Sequence, residues 1–285
     1  MLRISTISFP GLGIGEFDVN SVAFTIGEEL EIAWYALIIV TGMIAAVAYL
    51  MFRASRIGIM AEDVLDAVIF VIPIGIIGAR LYYVLSRLDH YSSFADVIDI
   101  RSGGLAIYGG IIAGTLTVIA YCKIKKINFM AFADCVCPGL ILAQAIGRWG
   151  NFMNGEAFGI ETDVFCRMGL NNFLTAYSTV YVHPIFLYES LWNLLGFILI
   201  NIFYRHKKYD GQIFFLVFGW YGLGRMLIEG IRGADTLMLG AFRISQVLAG
   251  AIFVACVAAL IYFAIKPPKS DFFKYKSKYA KKEKK

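Results

Sequence analysis

Charge is scarce in this sequence. Of 285 residues 16% are Asp, Glu, Lys or Arg and 59% are hydrophobic, with a mean hydropathy of +0.70, whereas soluble domains carry about a quarter charged residues. That balance excludes an ordinary soluble domain. Lysine is absent before position 123, and all fourteen lysines lie in the connections 123–126 and 205–210 or after Ile265. Cysteine is sparse and unpatterned. Cys122, Cys135, Cys137 and Cys256 fall in or at the ends of apolar runs and Cys166 stands alone, so there is neither a disulfide framework nor a zinc spacing. With only three scattered histidines, no Ser–His or metal-ligand constellation for a hydrolase or phosphotransferase is apparent. Strand-like alternation with turn signals does not recur, which argues against a membrane barrel.

What the sequence does have is long apolar runs. Seven are about 20 residues long, the length a bilayer requires: roughly 32–52, 67–86, 103–122, 129–147, 184–204, 212–231 and 244–265. They predict an all-α fold, a polytopic membrane helical bundle with about seven transmembrane helices. Arg53, Arg56 and Arg205 lie on the same side as the lysines, so the positive-inside rule makes that side cytoplasmic, with the N-terminus outside and the C-terminus inside. About 30 mostly non-basic residues, with Glu16, Asp18, Glu28, Glu29 and Glu31, precede the first run; lacking a basic leader, that run is expected to be retained. One membrane domain over 1–285 is expected, with the connection 150–182 as a small outer head or lid and the basic tail 266–285 as a topology determinant. Gly110 and Gly114 form a small-x-x-x-small pair suited to close helix packing.

Ionisable groups inside a bilayer are expensive and mark function by default. The apolar run LILAQAI at 140–146 leads into GRWGNFMNGEAFG at 147–159, which brings Arg148, Asn151, Asn154 and Glu156. By the deduced topology, Arg80, Tyr108, His183, Tyr188 and Glu189 reach the same outer half. Tyr221, Arg225, Glu229 and Arg232 do so on one helical face at spacings of four, four and three, and the last run opens with Arg243, Ser245 and Gln246. Asp66 and Asp134 sit near inner ends, where capping or pairing with loop arginines is expected. Polarity confined to one side, without an evident repeat, argues against a transporter. Guanidinium groups fork onto phosphate oxygens, so Arg148 and Arg225, with Arg80 and Arg232 as helpers, are read as an anion site for a lipid phosphate. Glu156, Glu189 and Glu229 would orient the arginines or take protons.

GRWGNFMNGEAFG resembles the signature of the bacterial phosphatidylglycerol:prolipoprotein diacylglyceryl transferases, G-R-x-G-N-F-x-N-G-E followed by a glycine, here Gly159. Matching segments run along almost the whole chain: AWYAL around Tyr35, GARLYYVL around Arg80, GGLAIYGG at 103–110, HPIFLYES at 183–190 and YGLGRMLIEGIR at 221–232. The resemblance implies an enzyme at the outer face of the bacterial cytoplasmic membrane. It would move the diacylglyceryl group of phosphatidylglycerol onto the lipobox cysteine of a prolipoprotein signal peptide, forming a thioether and releasing glycerol phosphate, the first step of lipoprotein maturation. Its partners would be phosphatidylglycerol, the prolipoprotein and membrane lipids, with no nucleic acid, metal or cofactor. Tyr35, Arg148, Asn151, Glu156, Gly159, Arg225 and Glu229 match positions the family uses for binding and catalysis.

One position departs from the family. Many members have histidine where this chain has Tyr108, and a phenol with a pKa of about 10 is a poor base for a thiol near 8.5. The proton acceptor is left open among His183, Glu229 and Glu156, with Tyr108 then a positioning donor. Replacing Arg148 by alanine is expected to abolish transfer while leaving the protein inserted, and lysine there to restore only part of it, because the fork is lost; turnover and membrane insertion of the two variants check this.

Overall fold

The computed structural model describes residues 4–27, 30–57, 59–88, 91, 93–99, 103–232, 238–239, 242–266 and 268. Glu28, Glu29 and nearly all of the basic tail expected at 266–285 therefore lie outside the described residues. Helices form at every one of the seven apolar runs: α1 (Trp34–Ile57), α2 (Ala61–Ser86), α4 (Ile107–Lys125), α5 (Phe129–Met153), α6 (Ile185–Phe203), α7 (Gln212–Glu229) and α8 (Ile244–Ile265), with a short α3 (Phe94–Ile98) between α2 and α4. Six of them, all but α3 and α7, are long and apolar enough to cross a membrane. α7 has only 18 residues and carries Arg225 and Glu229 within its last turns, so its apolar run is cut short. In α1 and α8 only 11% of the most apolar window is buried within the protein. Such surface needs a lipid neighbour, because water would penalise it.

The described residues divide into two compact units, Met1–Ala48 with Val136–Lys269, and Tyr49–Cys135. In the first unit the expected all-helical architecture is incomplete. β1 (Ile4–Phe9) and β2 (Ile14–Asn20) pair antiparallel, and β1 also pairs with β5 (Met168–Asn171), which pairs with β6 (Val180–Val182). The sheet order is β2-β1-β5-β6. Two hairpins, β3 (Val22–Ile26) with β4 (Leu30–Ala33) and β7 (Met238–Leu239) with β8 (Phe242–Arg243), complete the strands. Residues 168–182 thus supply two strands of this sheet and the N-terminal segment the other two. One face of the sheet buries Ile7, Phe9, Val19, Met168, Leu170 and Val182 together with Phe186 of α6, and each such side chain contributes about 1.5–3 kcal/mol. Asn172 locks the junction, giving its side-chain N–H groups to Ser5 Oγ (3.1 Å) and Gly155 O (2.9 Å).

Also in this unit, α6 and α7 are braced by Trp192 and Trp220. Their rings stack at 4.4 Å, and each indole N–H donates to the other residue's carbonyl, at 3.0 and 2.9 Å. Gly196 and Gly224 make the room: a Cβ on either would stand 2.3 or 2.1 Å from the opposing indole nitrogen.

In the second unit α2 packs closely on α4. The closest approach is Gly78 against Gly109, where a Cβ on Gly109 would lie 2.2 Å from the Gly78 carbonyl oxygen. The expected Gly110–Gly114 pair is therefore displaced by one residue. Gly110 makes ordinary contact and Gly114 only touches Val71 at 3.7 Å. Lys125 ties the other end, 3.2 Å from Asp63 and 3.0 Å from Asp66, so the partner of Asp66 is this lysine rather than a loop arginine. Because the Gly78–Gly109 contact is backbone against backbone, Gly109→Val is expected to cost at least the 1–3 kcal/mol typical of overpacking, read as loss of monodisperse protein in detergent and a lower unfolding temperature, with Gly114→Ala close to wild type.

Candidate active site

The motif at 147–159 is not a loop following a helix. α5 continues through Arg148, Trp149, Gly150 and Asn151 to Met153, so these side chains project at helical spacing. The chain then turns back through Gly155 (φ +61°) and Ala157 (φ +55°). This reversal aims Glu156 at the helix it has just left: its Oε1 accepts from Asn151 Nδ2 at 3.1 Å and Asn154 Nδ2 at 3.2 Å. Asn151 in turn accepts from Arg148 Nη1 at 3.4 Å. Gly150 lets the ring of Tyr35 from α1 lie directly on α5, since a Cβ there would be 2.9 Å from the ring.

Glu189 of α6 joins this group to α7. Arg148 Nε lies 2.5 Å from its Oε2, and Arg225 Nη1 donates to its Oε1 at 2.8 Å. Arg225 Nη2 then reaches Glu229 Oε2, also at 2.8 Å, and Arg232 Nη1 stands 4.0 Å from that same oxygen. The order of burial carries the argument. The two carboxylates are 6% and 1% exposed, while the side chains of Arg148, Arg225 and Arg232 are 24%, 20% and 23% exposed. Acid groups form the floor and guanidinium groups the surface. Three guanidinium groups stand over the two buried carboxylates, and among the described residues Arg225 donates one hydrogen bond, to Glu189, and pairs with Glu229 through Nη2. An anion meeting this surface finds fixed, directional donors.

Gly159 and His183 stand beside this group. Gly159 bridges to Arg232 and donates its N–H to the His183 carbonyl at 2.9 Å. A Cβ there would strike His183 Cβ at 2.6 Å and the Ile231 carbonyl at 2.7 Å, so glycine is a steric requirement at this crossing. The backbone of His183 is tied to Ile160 and Ile185, so it does fix the turn into α6. Its Nδ1 is 3.2 Å from Tyr188 Oη, which also contacts Cys166 Sγ at 3.2 Å. Burial pushes the imidazole pKa below its usual range, so the ring is neutral at neutral pH.

Two sequence-predicted residues belong to the other unit. Arg80 is buried, and four of its five N–H groups are used on backbone carbonyls: Nε to Val97 (2.8 Å), Nη1 to Gly103 (2.6 Å) and Gly104 (3.0 Å), and Nη2 to Asp96 (2.7 Å). It organises the segment before α4, where Gly103 and Gly104 have φ of +86° and +77°. Tyr108 lies in the first turn of α4 and is exposed. Sequence reasoning named Glu189 only as one possible orienter, and the structure makes it the hub. Its signal was the pairing of a carboxylate with His183 and Tyr188 in one helix start.

Arginines held over buried carboxylates in a helical membrane-type protein define a class that the comparisons with known proteins narrow. The family model described as prolipoprotein diacylglyceryl transferase matches residues 21–262. Proteins named phosphatidylglycerol–prolipoprotein diacylglyceryl transferase are similar to the chain along most of its length. The one from Listeria welshimeri is 43% identical over 265 residues, covering 90% of this chain and 95% of its own. That of Clostridioides difficile is 41% identical over 249 residues, covering 87% and 97%, and that of Streptococcus pneumoniae serotype 4 is 44% identical over 250 residues, covering 86% and 94%. The chain belongs to the prolipoprotein diacylglyceryl transferase family.

Removing the charge of Glu189 strips the shared anchor from Arg148 and Arg225 at once. Breaking a buried pair in this way costs about 3–5 kcal/mol. Glu189→Gln is expected to lower kcat/KM by about two orders of magnitude or more in a transfer assay, with size-exclusion behaviour unchanged.

Proposed function

We propose that this protein transfers the diacylglyceryl group of phosphatidylglycerol to the thiol of a prolipoprotein cysteine, releasing glycerol phosphate. The observation that carries this reading is the layered site, in which buried Glu189 and Glu229 hold Arg148, Arg225 and Arg232 with their outer edges open to a phosphate. Membership of the family and the names of its relatives support the substrates; the cysteine meant is that of the lipobox in the signal peptide.

The reaction is a displacement at a saturated glycerol carbon. The thiol gives up its proton, its sulfur forms a bond to carbon, and the carbon–oxygen bond to phosphate breaks with its electron pair leaving on the phosphate oxygen. Arg148 and Arg225 bind the phosphate and stabilise the charge that gathers there, a contribution of a few kcal/mol each by analogy with oxyanion-hole donors, about 3 kcal/mol. Asn151 and Asn154 hold glycerol or phosphate oxygens from the same wall, backed by Glu156. Tyr35 positions the headgroup. Glu229 keeps Arg225 in place. The proton acceptor comes from His183, Glu229 or Glu156, and of these side chains imidazole is the one that ordinarily titrates nearest neutrality. Both reactants already lie in one membrane, which removes much of the entropic cost of bringing them together.

The topology belongs to the same reading. α7 crosses with the six longer helices, its charged end tolerated because Arg225 and Glu229 face the site. The count is then seven, the N-terminus lies outside, and the lysine-rich connections and tail lie in the cytoplasm. The site faces the outer leaflet of the bacterial cytoplasmic membrane, beneath a head made from residues 4–20 and 168–182.

Purified protein given phosphatidylglycerol vesicles and a synthetic lipobox peptide is expected to yield a peptide heavier by one diacylglyceryl group in thioether linkage. The same peptide with serine in place of cysteine is expected to stay unmodified. Modification of the serine peptide, or none of the cysteine peptide, overturns the proposal.

A further inference from the structure

The charged surface described above is built from α5, α6 and α7 and the turn that follows α7. None of it comes from α8, yet three polar residues around the start of α8 all reach the end of α7. Arg243 Nη1 donates to the Glu229 carbonyl at 2.6 Å and to the Arg232 carbonyl. Gln246 Nε2 donates to the Met226 carbonyl at 3.0 Å. These two act on backbone: they satisfy carbonyls that the end of a helix leaves without partners, and Arg243 brings positive charge to the negative end of the helix dipole. Ser245 differs. Its Oγ–H donates to a side chain, the Oε1 of Glu229, at 2.7 Å.

Glu229 is 1% exposed, and its two oxygens face different partners, the arginines on one side and Ser245 on the other. Oε2 meets Arg225 Nη2 at 2.8 Å, and Oε1 meets Ser245. The terminal torsion of a glutamate is broad and has little preference of its own, so the plane of the carboxylate is set by what holds its oxygens. That plane fixes one edge of the Arg225 guanidinium, whose other edge is held by Glu189 at 2.8 Å.

We infer that Ser245 is a positioning residue for the transfer reaction: its hydroxyl fixes the Glu229 carboxylate, and through it the orientation of the Arg225 guanidinium. This rests on the reading of Arg225 as a phosphate ligand. Without the hydroxyl, Oε1 stays buried without a donor, a costly arrangement, and the carboxylate turns to share Arg225 differently. Substrate would still bind to the remaining arginines, but the donors would no longer match the charge that develops on the leaving phosphate.

The test compares steady-state transfer to a lipobox peptide in phosphatidylglycerol vesicles for Ser245→Ala, Ser245→Thr, Gln246→Ala and Arg225→Ala. Ser245→Ala is expected to lose about tenfold in kcat, the value of one hydrogen bond to a buried charge, with KM for phosphatidylglycerol within about twofold. Ser245→Thr, which keeps the hydroxyl, restores most of kcat, and Gln246→Ala, which removes only a backbone contact of the same helix start, leaves kcat near wild type. A wild-type kcat for Ser245→Ala beside an inactive Arg225→Ala overturns the inference alone, whereas an active Arg225→Ala overturns the site reading beneath it. A kcat loss that threonine does not restore, or that Gln246→Ala equals, marks a packing role and also overturns it.

Discussion

A single carboxylate sets the geometry of this site. Glu189, almost fully withdrawn from solvent, takes a guanidinium from α5 with one oxygen and a guanidinium from α7 with the other. Burying a charge is costly unless it is paired, and here the pairing also dictates direction. Arg148 and Arg225 have long side chains with many rotamers, and left alone in a partly polar environment each would spread over many of them. Tied to one acceptor from two sides, they present their remaining donors on a common face. Glu229 repeats the device one step along α7, so the positive surface extends to Arg232.

The rest of the first unit places the three helices that bear these groups. The turn at Gly155 and Ala157 folds Glu156 back onto α5, and Asn172 fastens the carbonyl of that same turn to β1. Gly159 then brings the descending chain against His183 and the end of α7. The sheet of the head and the turn after α5 are therefore one structure, and within the signature segment Gly150 and Gly159 stand where a neighbouring ring or backbone leaves no room for a side chain.

The helices were legible in the sequence because an apolar run of bilayer length has few other meanings, and each of the seven runs became one. The sheet was not. β1 finds β5 about 160 residues away, and strands of six and four residues leave no local period to read; their register is set by Ile7 and Leu170 meeting in the core. In the candidate site, Arg148, Asn151, Asn154, Glu156, Arg225 and Glu229 were legible as polar groups in or beside apolar runs, and the first unit brings them together through Glu189. What the sequence could not separate was Arg80 from Arg148. Both are single arginines in apolar helices, but one is surrounded by backbone carbonyls and the other by a carboxylate, a difference made by the fold of residues 94–104. The role of Ser245 was hidden for a similar reason, since a hydroxyl in the first turn of a helix usually serves that helix.

The paired indoles of Trp192 and Trp220 bear on which parts of the first unit can move separately. Their reciprocal bonds tolerate no axial slip, and a shift of one residue along a helix moves it by about 1.5 Å, enough to part Arg225 from Glu189. The seam between α6 and α7 is riveted shut beside the charges it must keep in register. Any motion of the first unit that keeps these bonds carries α6 and α7 as one piece, so the Arg225–Glu189 pair travels intact.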